Sequence, residues 1–314
     1  SRARLSFIGV GNYVKGVLLP EFKKAGVVFA DIAGMSSHSA IDIGKKYKFC
    51  NVTTDIDSVF QNDNCNSIVV ATRHDTHAHF VIKGLQSKKH VFVEKPLCIS
   101  LGELEKVEHA WKRIALTKEN LPIFMVGFNR RFAPHTVKMK SLLKETNNPL
   151  SFIYTVNAGF LPYDHWVQNR KIGGGRIIGE VCHFVDLLRF LVGQNLSDYE
   201  SRLPSKNSPD SAVIDLTFED GSSGTIHYLT NGNKGFSKER LEIFVDGKIL
   251  QLDNFKKLRG YGWKSFKKMN LWHQDKGQGK CVRAFVRAVE MGCEPPIPLE
   301  ELFEVTRATI QLSK

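Results

Sequence analysis

The sequence holds no pair of cysteines at CxxC spacing. Its six cysteines, Cys50, Cys65, Cys98, Cys182, Cys281 and Cys293, are scattered without a regular interval. That pattern argues against a zinc site and for reduced thiols in a cytoplasmic protein, and no metal is expected. No apolar run approaches the roughly 18 residues of a membrane span, so no membrane partner is expected. There is no internal repeat and no low-complexity segment, which excludes a solenoid or a disordered chain. The first residues, Ser1-Arg2-Ala3-Arg4, include no methionine. The expectation is a tag remnant or a piece of a longer polypeptide.

What is present is a chain of 314 residues, 42% hydrophobic and 24% charged, enough for a sizeable core and for two domains. The formal net charge is +12. Such an excess favours phosphate-bearing ligands or acidic polymers. Much of it is local: Lys256, Lys257, Arg259, Lys264, Lys267, Lys268, Lys276 and Lys280 lie close together, with Asp275 the only acid among them. Phe255, Tyr261, Trp263, Phe266 and Trp272 are interleaved. Bases or a sugar-nucleotide could stack there. The alternative is a solvated loop whose aromatics close over a sheet, and nucleic acid is not the favoured partner.

The first part of the chain alternates strand and helix patterns. Residues 5–8, 27–33, 67–71, 91–93 and 123–126 read as strands, and 13–25, 40–47, 76–85 and 101–116 as helices, the first of these interrupted by Pro20. Alternation of this kind predicts an α/β domain with a doubly wound parallel sheet. After Pro149 the pattern changes. Residues 152–159, 212–218, 224–228, 239–245 and 248–252 read as strands, with turn dipeptides at Asp220-Gly221 and Asp246-Gly247. One helix is expected at 179–191, and two more at 279–290 and 299–313. The second part is therefore predicted to be an α+β domain with a large open, mostly antiparallel sheet. The boundaries adopted are 1–126 for the first domain and 127–314 for the second, with the C-terminal helix able to pack back on the first.

Gly9-Val10-Gly11 directly follows the first strand, with Asn12, Tyr13 and Val14 opening a helix. Glycines there permit a tight turn and let backbone N–H groups approach a pyrophosphate. The third fingerprint position is Val14 rather than glycine, which weakens the motif. A carboxylate that binds ribose hydroxyls is expected at the end of the second strand. None appears: the strand ends Ala33-Gly34-Met35-Ser36-Ser37-His38, and Asp31 lies too early, inside the strand. The small hydroxyls of Ser36 and Ser37, with His38, leave room for a 2′-phosphate. The reading leans to NADP over NAD.

His90-Val91-Phe92-Val93-Glu94-Lys95-Pro96 reads as an apolar strand that ends in a lysine before a proline. Ligands of open parallel sheets bind beyond the carboxyl ends of the strands, which puts Lys95 in a cofactor cleft. Further on, Gly173-Gly174-Gly175 precede a helix in which Ile177, Val181, Phe184, Leu188 and Leu191 form one apolar stripe. Glu180, His183 and Asp186 are spaced three apart and are expected to share an adjoining face. A histidine flanked by carboxylates can be oriented to give or take a proton.

Together these segments resemble the Gfo/Idh/MocA oxidoreductase family. The resemblance is carried by Gly9-Val10-Gly11, Ala71-Thr72-Arg73-His74-Asp75-Thr76-His77, Glu94-Lys95-Pro96, Gly127-Phe128-Asn129-Arg130-Arg131-Phe132 and the segment 173–186, in family order. It implies an N-terminal Rossmann domain, a nicotinamide cofactor (NADP or NAD), a sugar, cyclitol or sugar-nucleotide substrate, and a homo-oligomer formed through the second sheet. By the same resemblance Lys95 stands near the reacting carbon and His183 transfers the proton; on the spacing alone, Glu180 or Asp186 is expected to orient it. Ala71, Thr72, Arg73, His77, Glu94 and Arg130 or Arg131 lie near the cofactor, and the Lys95–Pro96 bond is cis. Tyr163, Trp166 and Arg176 are candidates for holding the substrate, with Trp166 able to stack on a sugar ring.

The chain departs from the family pattern in two places. Gly179 stands where many relatives carry an aspartate, and Arg73-His74 replaces Pro-Asn. These departures resemble a narrower group in which such a unit is fused behind an alcohol-dehydrogenase-like domain. The expected activity is that of an NAD(P)-dependent dehydrogenase acting on CH–OH groups. The alternatives are a non-catalytic NAD(P)-binding regulatory protein of the same fold, which Gly179 favours, and polyanion binding by the basic segment.

Overall fold

A computed structural model describes residues 2–34, 37–117, 121–203 and 210–314. The chain divides into two compact units. The first comprises Ser1–Phe128, Lys171–Gly174 and Gln278–Thr306; the second comprises Asn129–Arg170, Gly175–Gly277 and Arg307–Lys314.

The first unit is built on β1 (Arg4–Ile8), β2 (Val28–Ala33), β3 (Asn51–Thr53), β4 (Ser67–Val70), β5 (His90–Val93) and β6 (Phe124–Val126). The strands pair in the order β3-β2-β1-β4-β5-β6, all parallel. This is the strand order of a Rossmann fold, whose reversal point lies between β1 and β4. Strands such as Ser67-Ile68-Val69-Val70 are buried throughout, as a sheet covered on both faces requires. The covering helices are α1 (Leu19–Lys24), α2 (Ser37–Tyr47), α3 (Ile56–Gln61), α4 (His77–Gln86) and α5 (Leu101–Ala115). Asp55 caps α3 by accepting from Asp57 N and Ser58 N, and Ser100 with Glu103 forms a capping box that starts α5.

The second unit begins with α6 (Pro134–Leu143), β7 (Ser151–Asn157), α7 (Cys182–Val192) and β8 (Leu196–Arg202). It continues with β9 (Ala212–Phe218), β10 (Ser223–Leu229), β11 (Glu239–Val245), β12 (Lys248–Asp253), β13 (Lys257–Tyr261) and β14 (Lys268–Asn270). These strands form one sheet in the order β14-β13-β12-β11-β7-β10-β9-β8. It is antiparallel except where β10 runs parallel to β7. The inward positions of β11 are Glu239, Leu241, Ile243 and Val245, alternating with exposed or half-buried residues. On the same inner face Phe184 of α7 packs between Tyr154 of β7 and Tyr228 of β10, at ring-centroid distances of 5.2 and 6.3 Å. The chain then returns to the first unit through α8 (Gln278–Met291), where Phe285 meets Phe22 and Phe92 edge-on. The last helix, α9 (Leu299–Leu312), is divided between the units after Thr306.

Two sequence expectations are corrected here. The helix expected over 13–25 is not one regular helix: a π-helical turn at Val14–Leu18 passes into α1, with Pro20 in its first turn. There the absent proline N–H costs no hydrogen bond. A second π-helical turn, Ile177–Val181, precedes α7. It shifts the phase of everything after it, so the even three-residue spacing of Glu180, His183 and Asp186 does not place them in a regular α-helical row. All five residues of the expected apolar stripe are nevertheless buried, as are Cys182, Val185, Leu187 and Arg189, because α7 is covered nearly all round.

Candidate active site

In the first unit, β1 is followed directly by Gly9, whose φ of 110° belongs to glycine. A Cβ there would lie 2.3 Å from the carbonyl oxygen of Ala71, so the turns after β1 and β4 touch only because the side chain is missing. A Cβ at Gly11 would meet nothing within 4 Å. Gly11, Asn12 and Tyr13 are exposed at this end of the sheet. Open backbone at the entrance to a helix fits the pyrophosphate of a dinucleotide. Ser36 lies outside the described residues, and of Ser37 and His38 only the backbone at the start of α2 is described. Asp31 is buried: its carboxylate accepts from Ser6 Oγ at 2.5 Å, Asn62 Nδ2 at 2.7 Å and Asn51 Nδ2 at 3.3 Å. Those bonds hold it within the sheet.

The loop after β4 is tied down by its own side chains. Thr72 Oγ1 lies 2.6 Å from Thr76 Oγ1, which donates to Arg73 O at 2.8 Å. Arg73 itself is exposed. His74 Nδ1 is 2.8 Å from Gly173 O, and Asp75 N donates to Ile172 O at 3.0 Å. The buried His77 ring stands between two carbonyl oxygens, that of Pro96 at 2.7 Å and that of Thr72 at 3.2 Å. Burial holds His77 below the usual imidazole range and His74 down to about 3, so both rings are neutral. A neutral ring has one N–H, and on His77 the shorter contact to Pro96 takes it.

Glu94 and the half-buried Lys95 follow β5 directly, and the Lys95–Pro96 peptide bond is cis. Burial pushes Glu94 up to about 7 against the pull of Lys95. Its Oε1 would lie 2.8 Å from a Cβ at Gly127, so that glycine makes room for the carboxyl.

In the second unit, α7 carries His183 and Asp186, both buried. Arg131 forks onto Asp186 with contacts of 2.6 to 2.9 Å. Arg130 forks onto the buried Glu239 at 2.8 and 2.7 Å, and Glu239 also accepts from Tyr154 at 2.8 Å and Lys276 at 2.7 Å. Glu180 accepts from Lys238 at 2.7 Å, from Arg176 at 3.2 Å and from the Tyr228 hydroxyl. Burial by itself would raise Glu180, but Lys238, Tyr228 and Arg176 outweigh it and hold the carboxyl at about 2. Arg176 also donates to Gly159 O at 2.7 Å. Tyr163 is 69% exposed, and Trp166 is half-buried with its ring 5.9 Å from that of His165. A cavity of about 260 Å³ is lined by Tyr163, Gln168, Arg170, Arg176, Asp210 and Ser313, among others.

The structure thus gathers Glu180 with Arg176, and Asp186 with Arg131, in the second unit; Lys95, Glu94, His77 and the glycine turn belong to the first. Sequence reasoning missed Glu239, Lys238, Tyr154 and Tyr228, and placed Lys276 only in the basic segment. One signal was available: Glu239 occupies an inward position of an alternating apolar strand, where a carboxylate needs a buried partner. The basic segment follows the second of the two readings given for it. Lys257 and Arg259 lie in β13 and Lys268 in β14, while Phe255, Trp263 and Phe266 are buried and Tyr261 and Trp272 exposed. The aromatics largely close over the sheet rather than forming a stacking platform.

Comparison with known proteins agrees with this geometry. Residues 3–119 match the Gfo/Idh/MocA model described as an oxidoreductase family with an NAD-binding Rossmann fold, and residues 148–301 match that family's C-terminal α/β domain. The chain is 24% identical over 222 residues to myo-inositol 2-dehydrogenase of Thermotoga maritima, covering 68% of this chain and 62% of that one. It is 27% identical over 202 residues to scyllo-inositol 2-dehydrogenase (NAD(+)) of Bacillus subtilis, covering 61% and 56%. The matches therefore span less than two thirds of either relative. Among solved structures, an oxidoreductase domain protein from Kribbella flavida superposes with a TM-score of 0.84 at 19% identity, covering 99% of this chain and 97% of that one. Levoglucosan dehydrogenase in complex with NADH and levoglucosan superposes with a TM-score of 0.83 at 18% identity, covering 100% and 97%.

Proposed function

Since the chain belongs to the Gfo/Idh/MocA oxidoreductase family, we propose that it transfers hydride between a nicotinamide cofactor and a secondary alcohol or ketone of a sugar, cyclitol or sugar-nucleotide. The observation that carries this reading is Lys95 at the carboxyl end of β5, in the same unit as the open Gly11 turn. Relatives named as inositol and levoglucosan dehydrogenases support the substrate class. When bound, the nicotinamide supplies the hydride acceptor or donor. The turn at Gly9 and Gly11 with the loop Ala71–His77 holds the cofactor, and Arg73 faces solvent beside it. Lys95 donates a hydrogen bond to the substrate oxygen and stabilises charge that develops there. His183 takes the hydroxyl proton during oxidation and returns it during reduction. Asp186 and Arg131 fix the turn of α7 on which His183 stands. Tyr163, Trp166 and Arg176 bind the remaining hydroxyls.

Either dinucleotide is accommodated in this reading, with the lean to NADP resting on a second strand that ends without a carboxylate and on an Asp31 already bonded within the sheet. We also propose a homo-oligomer through the exposed face of the second sheet and a reducing, cytoplasmic setting for the six free cysteines. No helix among the described residues is long and apolar enough to cross a membrane. The test is a panel of sugars, cyclitols and sugar-nucleotides assayed by nicotinamide absorbance with NAD and NADP. Turnover that Lys95→Ala and His183→Ala each abolish, with cofactor affinity nearly intact, is the expected result. Wild-type turnover in either variant refutes the role given to that residue. Cofactor binding without turnover on any of the panel favours the regulatory alternative.

A further inference from the structure

The inner face of the second sheet carries more positive charge than its carboxylates neutralise. Glu239 binds Arg130 and Lys276, and Glu180 binds Arg176 and Lys238. Lys238 and Glu239 are neighbours in the chain, and the Arg130 guanidinium lies 5.2 Å from the Phe184 ring that separates Tyr154 from Tyr228. The two carboxylate centres are therefore one cluster. Burial first, and then the adjacent carboxylates, push Tyr154 and Tyr228 above the usual phenol range, so both stay neutral donors. Asp186 and Arg131 compensate each other and add nothing to the balance. Among the described residues, four cations share two carboxylates, an excess of two positive charges.

That excess is not sealed in. The Glu239 side chain is 1% exposed and Arg130 7%, whereas Lys276 is 15% and Lys238 39% exposed. Each carboxylate thus leaves one cation uncompensated, and the surplus comes nearest to solvent at Lys238. Cations crowded in a partly dry site repel one another, and burial holds Lys276 below the usual lysine range against the pull of Glu239. An anion placed against Lys238 would relieve that repulsion and gain charge-assisted hydrogen bonds. The cluster also adjoins the proposed chemistry in the chain, because the π-helical turn that holds Glu180 runs directly into α7, which carries His183.

We infer that the substrate of this protein carries an anionic group, a carboxylate or a phosphate, which is recognised by Lys238 with Lys276 and Arg176 behind it. The inference rests on the proposed function for the sugar to which the group is attached, but not for its charge. The test is calorimetric binding to the full chain of glucose, galactose and mannose, each as the neutral sugar, its uronate and its 6-phosphate. For at least one hexose an anionic form is expected to bind about tenfold or more tightly than the neutral sugar. The stronger anion names the group, uronate or phosphate. Lys238→Met is expected to lower the anion-to-neutral ratio about tenfold, and Lys238→Arg to restore most of it. Equal affinity of neutral and anionic forms, binding of none of the anions, or a ratio unmoved in Lys238→Met overturns the inference. Preferential anion binding without turnover by any cofactor upholds the inference and counts against hydride transfer instead.

Discussion

The His77 ring is fastened to Pro96, its Nδ1 lying 2.7 Å from that residue's carbonyl oxygen. The ring sits at the head of α4, and Pro96 follows Lys95 beyond β5. One imidazole therefore holds the turn that carries Lys95. Replacement by alanine leaves a buried carbonyl without its donor, which costs about 1–3 kcal/mol. His77→Ala is expected to unfold at lower urea concentration by about that amount and to bind cofactor more weakly. Unchanged values for both would show that the contact holds nothing.

The pH dependence of stability has two parts of opposite sign and one origin, burial of the group. His74 is held down to about 3 when folded and returns to its ordinary value near 6.5 when unfolded. The unfolded chain then binds the extra proton, so this contribution is intact above about 6.5 and drains away as the pH falls toward 3. His74→Asn is expected to flatten the fall in unfolding free energy between pH 6.5 and 4, measured by urea titration at several pH values.

Glu94 acts in the other direction. Its folded value is raised from 4.5 to about 7, so its protonated form is favoured by folding and the protein loses stability as the pH rises through that interval. Glu94→Gln is expected to be the more stable protein at pH 8, by on the order of 1–3 kcal/mol, and to lose the advantage below about pH 5. Thermal denaturation at the two pH values checks the sign.

Glu239 anchors Arg130, Tyr154 and Lys276 at once. Removing a buried carboxylate strands two cations, and breaking one side of such a pair costs about 3–5 kcal/mol. Glu239→Ala is expected to lose at least that much in urea denaturation. The paired change Glu239→Leu with Arg130→Met is expected to recover part of it. Equal losses in the single and double variants would remove the ion pair as the cause.

The two glycines of the first turn should fail differently. Gly9→Ala forces a Cβ onto Ala71 at a φ that L-residues avoid, so the folded unit itself is expected to be lost or strongly destabilised. Gly11→Ala meets nothing in the protein, so it should fold normally and lose cofactor affinity only. Circular dichroism and cofactor titration separate the two outcomes.

Much of the architecture was legible because burial writes itself into sequence. Strands such as Ser67–Val70 and Glu239–Val245 announce themselves by an unbroken or alternating apolar pattern. Three of the edge strands do not. β3 is only Asn51–Thr53, β8 is Leu-Ser-Asp-Tyr-Glu-Ser-Arg, and β14 reads Lys-Met-Asn. Each is half in solvent and carries the polar residues that protect an edge, so its pattern resembles a loop. The π-helical turn at Ile177–Val181 was invisible for another reason, since one extra residue per turn leaves no compositional trace. Of the candidate site, the glycine turn, Lys95 and His183 stood out by motif. The carboxylate partners of Arg130 and Arg131 did not, because ion pairing joins residues 109 and 55 positions apart.

The parallel match of β10 to β7, set within an otherwise antiparallel sheet, ties connectivity to chemistry. Strands side by side in the same direction cannot be joined by a hairpin; the polypeptide must travel over the sheet and come back. That excursion contains α7, and with it His183. The central pairing of the sheet thus encloses a detour that carries α7 and the histidine proposed to move the proton. A break in the backbone anywhere along this detour would be expected to cost the unit its central seam and its reactivity in a single event.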